Sequence, residues 1–257
     1  MKTFINNKRL AALAGVDFDS DIIQPGPIVY SRTHLVCGQF NTLAKFGPCV
    51  LVTSFSDACC DSSMVRALPK NVRHWFTNNL MAKSPRVSAV PIGLRTSPKG
   101  EEVLRKAMSK SKGRKTQRNL VYMNFYRKIK RKVNPRRGMY EFFQPFSWIT
   151  TEGGFEHVPM DHFYDQISRH PYVISPPGAG PDCHRHWEAI LLGSIPIVKR
   201  SRATDVLKGL PCLRVDNWGE VTEERLRKEL PRLQQLFNSP AMEIIWFDYW
   251  EKRIKEA

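Results

Sequence analysis

The stretch from Tyr172 to Lys199, YVISPPGAGPDCHRHWEAILLGSIPIVK, constrains the fold more than any other part of the chain. It opens as a short β-rich run and passes through a loop of glycine and proline. It continues as a segment in which Trp187, Ile190 and Leu191 fall at i, i+3 and i+4, the spacing of one buried helix face. Gly193 then ends the helix and the β-branched run IPIVK begins. Two strands separated by one helix at this distance pair as parallel neighbours joined by a crossover. Asp182 is the expected N-cap of that helix.

The same alternation runs along the chain. GPIVYS, PCVLVTS and RVSAVPIGL read as strands, with a helix expected from about Asn71 inside LPKNVRHWFTNN and another at PKGEEVLRKAMSKS. Next come the strand NLVYMNF, a helix after Pro135, SWIT, the helix PMDHFYDQISRH and the strand PCLRV. The segments TEERLRKELPRLQQLF and AMEIIWFDYWEKRIKE are helical. The class is α/β with parallel sheets. Apolar periodicity stops and restarts near Gln117, which divides the chain into 1–116, 117–240 and a final helix at 241–257.

The N-terminus lacks the apolar run of a signal peptide, and no segment approaches the roughly 20 apolar residues of a membrane span. The expectation is a soluble protein without a membrane span, in the cytoplasm, or the host cytoplasm if virus-encoded. Six cysteines without a CxxC pair read as reduced thiols. His186-Trp187-Glu188 matches half of a zinc deaminase signature, but Pro211-Cys212 is followed by Leu213, Arg214 and Val215, so the PCxxC half is missing.

Of the net charge of +16, a block from Arg105 to Tyr140 supplies 14 lysines and arginines with no acid. Such a block marks contact with a polyanion or a solvated linker, and Tyr122, Phe125, Tyr126 and Tyr140 within it favour a folded surface. Lys128, Lys130, Arg131, Lys132 and Arg136 are the candidate polyanion contacts.

Strand, glycine loop and helix N-terminus together make a phosphate site, with free N–H groups and the positive end of the helix dipole. Ser175, Gly178 and Gly180 form the loop, Arg185 offers a bidentate cation for a diphosphate, and Glu188 an acceptor for ribose hydroxyls. A plain alternative is an Arg185–Glu188 pair capping an ordinary helix. His184 and His186 are candidates for phosphate or sugar, with one of the two structural. Asn124 and Arg137, after the strand NLVYMNF, complete the candidate donor set, against a solvated basic loop as the alternative for Arg136 and Arg137.

Ser175-Pro176-Pro177-Gly178, Gly180, Asp182, His184-Arg185, Trp187-Glu188-Ala189, Gly193 and Ile195-Pro196-Ile197-Val198 resemble the signature of exostosin-like glycosyltransferases. The resemblance is strong over 172–200, fair over about 119–220 and faint before that. It implies a GT-B fold: two facing Rossmann-like domains, a nucleotide-sugar held by 117–240, the acceptor by 1–116, and a C-terminal helix crossing back. It also implies Arg185 on the diphosphate and Glu188 on the ribose. The chain departs from the animal exostosins, which are longer and membrane-anchored, so their acceptor does not carry over.

A base for the transfer is expected on the first domain: Asp57, just past the strand PCVLVTS, with Asp61 and His34 as alternatives. A turn or N-cap role is the competing reading for Asp57. Asp17-Phe18-Asp19 matches a metal-binding DxD but lacks a flanking strand, so no metal or cofactor is expected, with a UDP-sugar as co-substrate. The basic block points to a hydroxylated or hydroxymethylated base in DNA as acceptor, flipped from the duplex as in virus-type DNA modification. A surface saccharide or lipid-linked glycan is the alternative acceptor. A non-catalytic nucleic-acid-binding protein is the alternative from another class.

Overall fold

Right-handed crossovers dictate which face of each sheet its helices cover. In a computed structural model, described for residues 2–17, 27–111, 119–127, 134–154 and 158–257, the strands form two five-stranded sheets with every pairing parallel. The first holds β1 (Val16–Asp17), β2 (Ile28–Arg32), β3 (Cys49–Ser54), β4 (Val72–Thr77) and β5 (Val87–Ala89), in space as in sequence. When the chain only advances, right-handed connections leave all crossover helices on one face. Accordingly α2 (Val36–Leu43) covers Val29, Leu51 and Trp75 with Val36, Phe40 and Leu43, and Leu68, just past α3 (Ser62–Arg66), joins it. The opposite face, with Ile28, Tyr30, Val50, Val52 and Phe76, needs a cover from elsewhere. Leu10 of α1 (Asn7–Ala11) and Trp250 and Ile254 of α9 (Phe247–Lys255) provide it, so the last helix of the chain packs on the first sheet.

The helix expected from Asn71 is instead β4. Val72 and Trp75 face one side of the sheet and Phe76 the other, and β4 pairs with both β3 and β5. A β-branched and aromatic run buried on both faces carries little period-2 signal, and the helical spacing of its polar residues misleads.

The second sheet has the order β10-β9-β8-β6-β7, with β6 (Val121–Met123), β7 (Ile149–Thr151), β8 (Tyr172–Ile174), β9 (Ile195–Lys199) and β10 (Leu213–Val215). The chain steps outward from β6 to β7, then returns past β6 to β8, so its helices divide between faces. On one lie α5 (Met139–Phe143) and α8 (Glu223–Gln235), on the other α4 (Pro98–Ser111), α6 (Met160–Arg169) and α7 (His184–Leu191). The whole is an α/β protein consistent with two Rossmann-like halves. Gln117 lies outside the described residues; α4, which precedes it, packs Leu104 with Phe163, Tyr164 and Ile167 of the second half. No helix among the described residues is long and apolar enough to cross a membrane.

The halves meet at the start of α7. The backbone N–H of Ile92 donates to Asp182 Oδ2 (2.8 Å), and the N–H of Asp182 donates to Asn79 Oδ1 (2.9 Å). Asp182 is therefore not the helix cap: Cys183 holds that position without a side-chain bond, and the Asp182 carboxylate serves Ile92 and the Trp187 indole (2.8 Å). The helix ends as expected. Gly193, at φ 72°, donates to Ile190 O, and Ser194 donates to Ala189 O, a Schellman closure that needs the left-handed glycine.

Candidate functional site

In an open parallel sheet, ligands gather past the strand C-termini where the strand order reverses. Here that point lies between β6 and β8, and Asn124 and Phe125 follow the first while Ser175 to Cys183 follow the second. Arg95, Asn124, Phe125, Tyr126, Arg136, Phe163, Tyr164 and Arg185 line a cavity of about 330 Å³ there. A second cavity of about 190 Å³ shares Arg95, Arg136 and Arg185 and extends along the glycine loop to Asp57 and His184. A third, about 180 Å³, shares Asp57 and His184 and reaches Asn7, Phe55, Ser56 and Thr96. Together they trace one cleft between the C-terminal edges of the two sheets.

The glycine loop is built differently from the expected open phosphate cradle. The Gly178 N–H is occupied by Gly180 O and Cys183 Sγ, both at 3.0 Å. A Cβ on Gly180 would sit 2.7 Å from Asn79 Nδ2, so that glycine admits a side chain of the first half rather than a ligand. Ser175 is fully buried, and its hydroxyl donates to His186 Nδ1 (2.7 Å). His186 Nε2 donates to Pro181 O (3.2 Å), and burial pushes the imidazole down to about 3, so it stays neutral. Ser175 and His186 are pins that hold the loop on α7. Burial also raises the Cys183 thiol to about 11, keeping it protonated beside the loop.

The loop is braced by Arg136, which donates from Nε to Pro177 O and from Nη1 to Tyr126 O, each at 2.9 Å. Buried at 9% exposure, Arg136 lines two of the cavities, whereas Arg137 is exposed and lines none of them. Arg136, expected among the polyanion contacts, therefore belongs to the cleft, and Arg137, expected in the donor set, does not line it. Arg185 is half-buried and lies 5.9 Å from the ring centres of both Phe125 and Phe163. Its Nε is buried without a hydrogen-bond partner, and it forms no ion pair among the described residues. Burial, then the neighbouring Arg136, lowers its pKa to about 10.

The capping pair Arg185–Glu188 does not form. Glu188 is fully buried and its Oε1 accepts from Arg95 Nε (3.1 Å) and Tyr164 O–H (3.0 Å), both cavity-lining groups. Its Oε2 is buried without a partner. Glu188 thus stands one layer behind the wall and orients Arg95 and Tyr164, instead of facing a ligand directly. Asn124, which lines the cavity, donates to Tyr122 O–H (2.8 Å), which in turn donates to Glu152 (2.9 Å).

The three candidate bases part company. Asp61 is the exposed N-cap of α3, its Oδ1 accepting from Ser63 N and Oγ and from Met64 N, which holds its carboxyl below the usual range. His34 is exposed, bonded to Ser56 Oγ (3.1 Å), and lines none of the three cavities. Asp57 is exposed and lines two. Phe55 and Asn79, at the ends of β3 and β4, have left-handed backbones with φ 54° and 48°, strain of the kind that concentrates at functional edges.

Lys128, Lys130, Arg131 and Lys132 lie outside the described residues, as does Asp19 of the DxD; Asp17 lies in β1, paired with Tyr30 of β2, so the motif does adjoin a strand, contrary to the expectation. The charge block is partly compensated from its flanks, where Glu101, Glu102 and Glu141 pair with Arg105, Lys106 and Arg127. A window count misses partners that lie just beyond the window. Among the described residues no group of three or more His, Cys, Asp or Glu is placed to hold a metal. Sequence reasoning missed Arg95, Asn79, Phe163 and Tyr164; a cation soon after PIGL, past a strand's C-terminal end, was the available signal for Arg95. No protein-family model matches the chain, and no curated protein matches it either.

Proposed function

We propose that this protein is a glycosyltransferase of the GT-B kind, moving a sugar from a nucleoside diphosphate to an acceptor held against the first half. The observation that carries this reading is the convergence of Arg95, Arg136 and Arg185 on adjoining cavities at the switch point of the second sheet. A sugar leaves a diphosphate by C–O cleavage, and the negative charge that grows on the leaving group needs fixed cations. The aromatic wall of Phe125, Tyr126 and Phe163 suits a nucleobase, and the narrower cavity along the loop suits a diphosphate. Two unsatisfied buried polar atoms belong to cavity-lining residues here: Arg185 Nε and, at the third cavity, Asn7 Oδ1. Such atoms mark a missing partner.

For the acceptor, the reading favours a hydroxylated base in DNA. Among the described residues of the 14-cation block, Arg105, Lys106 and Arg127 are paired and Arg136 is buried, while Arg137 is exposed; the block's net positive charge is what favours a phosphate backbone. The test is incubation with UDP-sugars and DNA containing hydroxymethylated pyrimidines, following UDP release and nucleoside mass. A hexose or pentose added to the base supports the proposal. UDP release only with saccharide acceptors replaces the DNA acceptor, and no turnover with any acceptor removes the enzyme.

A further inference from the structure

Any such transfer must move a proton: the acceptor O–H gives it up as its oxygen bonds the anomeric carbon, and the diphosphate departs with the electron pair of the broken C–O bond. Building on the reading above, we infer that His184 Nε2 accepts that proton. His184 lines both the cavity shared by the three arginines and the cavity at the end of β3, the boundary between the donor and acceptor sides. Its Nδ1 donates to Gly93 O at 2.7 Å. That carbonyl is rigidly seated, since Gly93 has φ 65° and a Cβ there would lie 2.2 Å from Ile5 O. Donation from Nδ1 leaves the lone pair on Nε2, which has no hydrogen-bond partner among the described residues.

The groups facing His184 suit this task. Arg95 disfavours a resting imidazolium, while Glu188 and Asp57 favour one, so the charge formed in the step has carboxylates nearby. Burial is the largest influence and lowers the His184 pKa below the ordinary imidazole value, keeping the ring neutral and basic at neutral pH. Asp57, by contrast, is exposed, and its carboxylate is not held by a hydrogen bond among the described residues. A direct displacement assisted in this way inverts the anomeric centre.

His184→Gln tests the assignment, since glutamine can still donate to Gly93 O but has no basic nitrogen. UDP affinity by calorimetry is expected to stay within about threefold of wild type, showing an intact fold and donor site. Turnover of UDP-sugars, onto hydroxymethylated DNA or water, is expected to fall about 10²–10⁴-fold with loss of the acid limb of the kcat–pH profile. Imidazole should partly restore His184→Ala. Nitrogen-15 NMR should show His184 protonated on Nδ1 and His186 on Nε2. Wild-type turnover in His184→Gln with UDP still bound overturns the base and spares the donor site. A wild-type protein that does not bind UDP overturns the donor reading and this inference with it, and one that binds UDP but turns over no donor overturns the base.

Discussion

Replacing Arg185 with methionine separates a functional cation from a structural one. Burial and Arg136 pull Arg185 down from the ordinary guanidinium value to about 10. At about 1.4 kcal/mol per pH unit, the folded protein carries a penalty on the order of 3 kcal/mol for keeping this guanidinium charged. The folded pKa of a base is depressed here, so the penalty is fully present below about pH 10 and fades only as pH rises above it toward the ordinary guanidinium value. It is therefore constant across the physiological range. Contacts with Phe125 and Phe163 return about 0.5–1 kcal/mol each, leaving a net cost of about 1–2 kcal/mol. Methionine keeps an apolar stem between the rings and removes the charge. Arg185→Met should thus raise Tm in the absence of ligand by about 2–8 °C. It should also weaken UDP by about 10- to 150-fold, from the loss of a charge-assisted contact, while uridine affinity changes less than twofold. Scanning calorimetry and titration calorimetry read the two effects. A lower Tm, or equal losses for UDP and uridine, would make Arg185 a structural brace and refute the reasoning.

Three further outcomes follow from the interdomain contacts and the basic block. Gly180→Ala places a Cβ 2.7 Å from Asn79 Nδ2 and should destabilise by about 1–3 kcal/mol in urea unfolding; Asn79→Ala should relieve most of that cost. Burial raises Asp182 from 3.8 to about 7, so the folded state takes up a proton that the unfolded state releases. Stability should therefore decline as pH rises from about 4 to about 7, and Asp182→Asn should flatten this dependence, read as urea midpoints across that range. If the basic block tracks DNA, neutralising about six phosphates gives a log–log salt slope near −5, and Lys128, Lys130, Arg131 and Lys132→Ala should reduce it by about 3 or more without changing UDP affinity. An unchanged slope would detach those residues from the DNA.

The second half of the fold was legible in the sequence because each of its strands is a short apolar run set off by glycine, proline or a helix. The stretch 172–199 shows β8, α7, β9 and the Gly193 stop directly. What the sequence hid is what depends on the other half. Asp182 looks like an N-cap until Ile92 and Trp187 claim its carboxylate, and Gly180 looks like a ligand approach until Asn79 fills the space. Arg95, more than 90 residues from Glu188, has no local signal of its partner. β4 failed for another reason: burial on both faces erased its alternation. Arg185 stood out as a cation at a helix start, but its isolation between two rings is a tertiary fact.

The most direct measurement is a crystal structure of the protein with UDP bound. The diphosphate should lie within hydrogen-bond distance of Arg185 and Arg136 or Arg95, with the uracil against the wall of Phe125, Tyr126 and Phe163 in the larger cavity. UDP absent at saturating concentration, or seated elsewhere, such as the cavity lined by Trp246, Tyr249 and Arg253, would contradict the account.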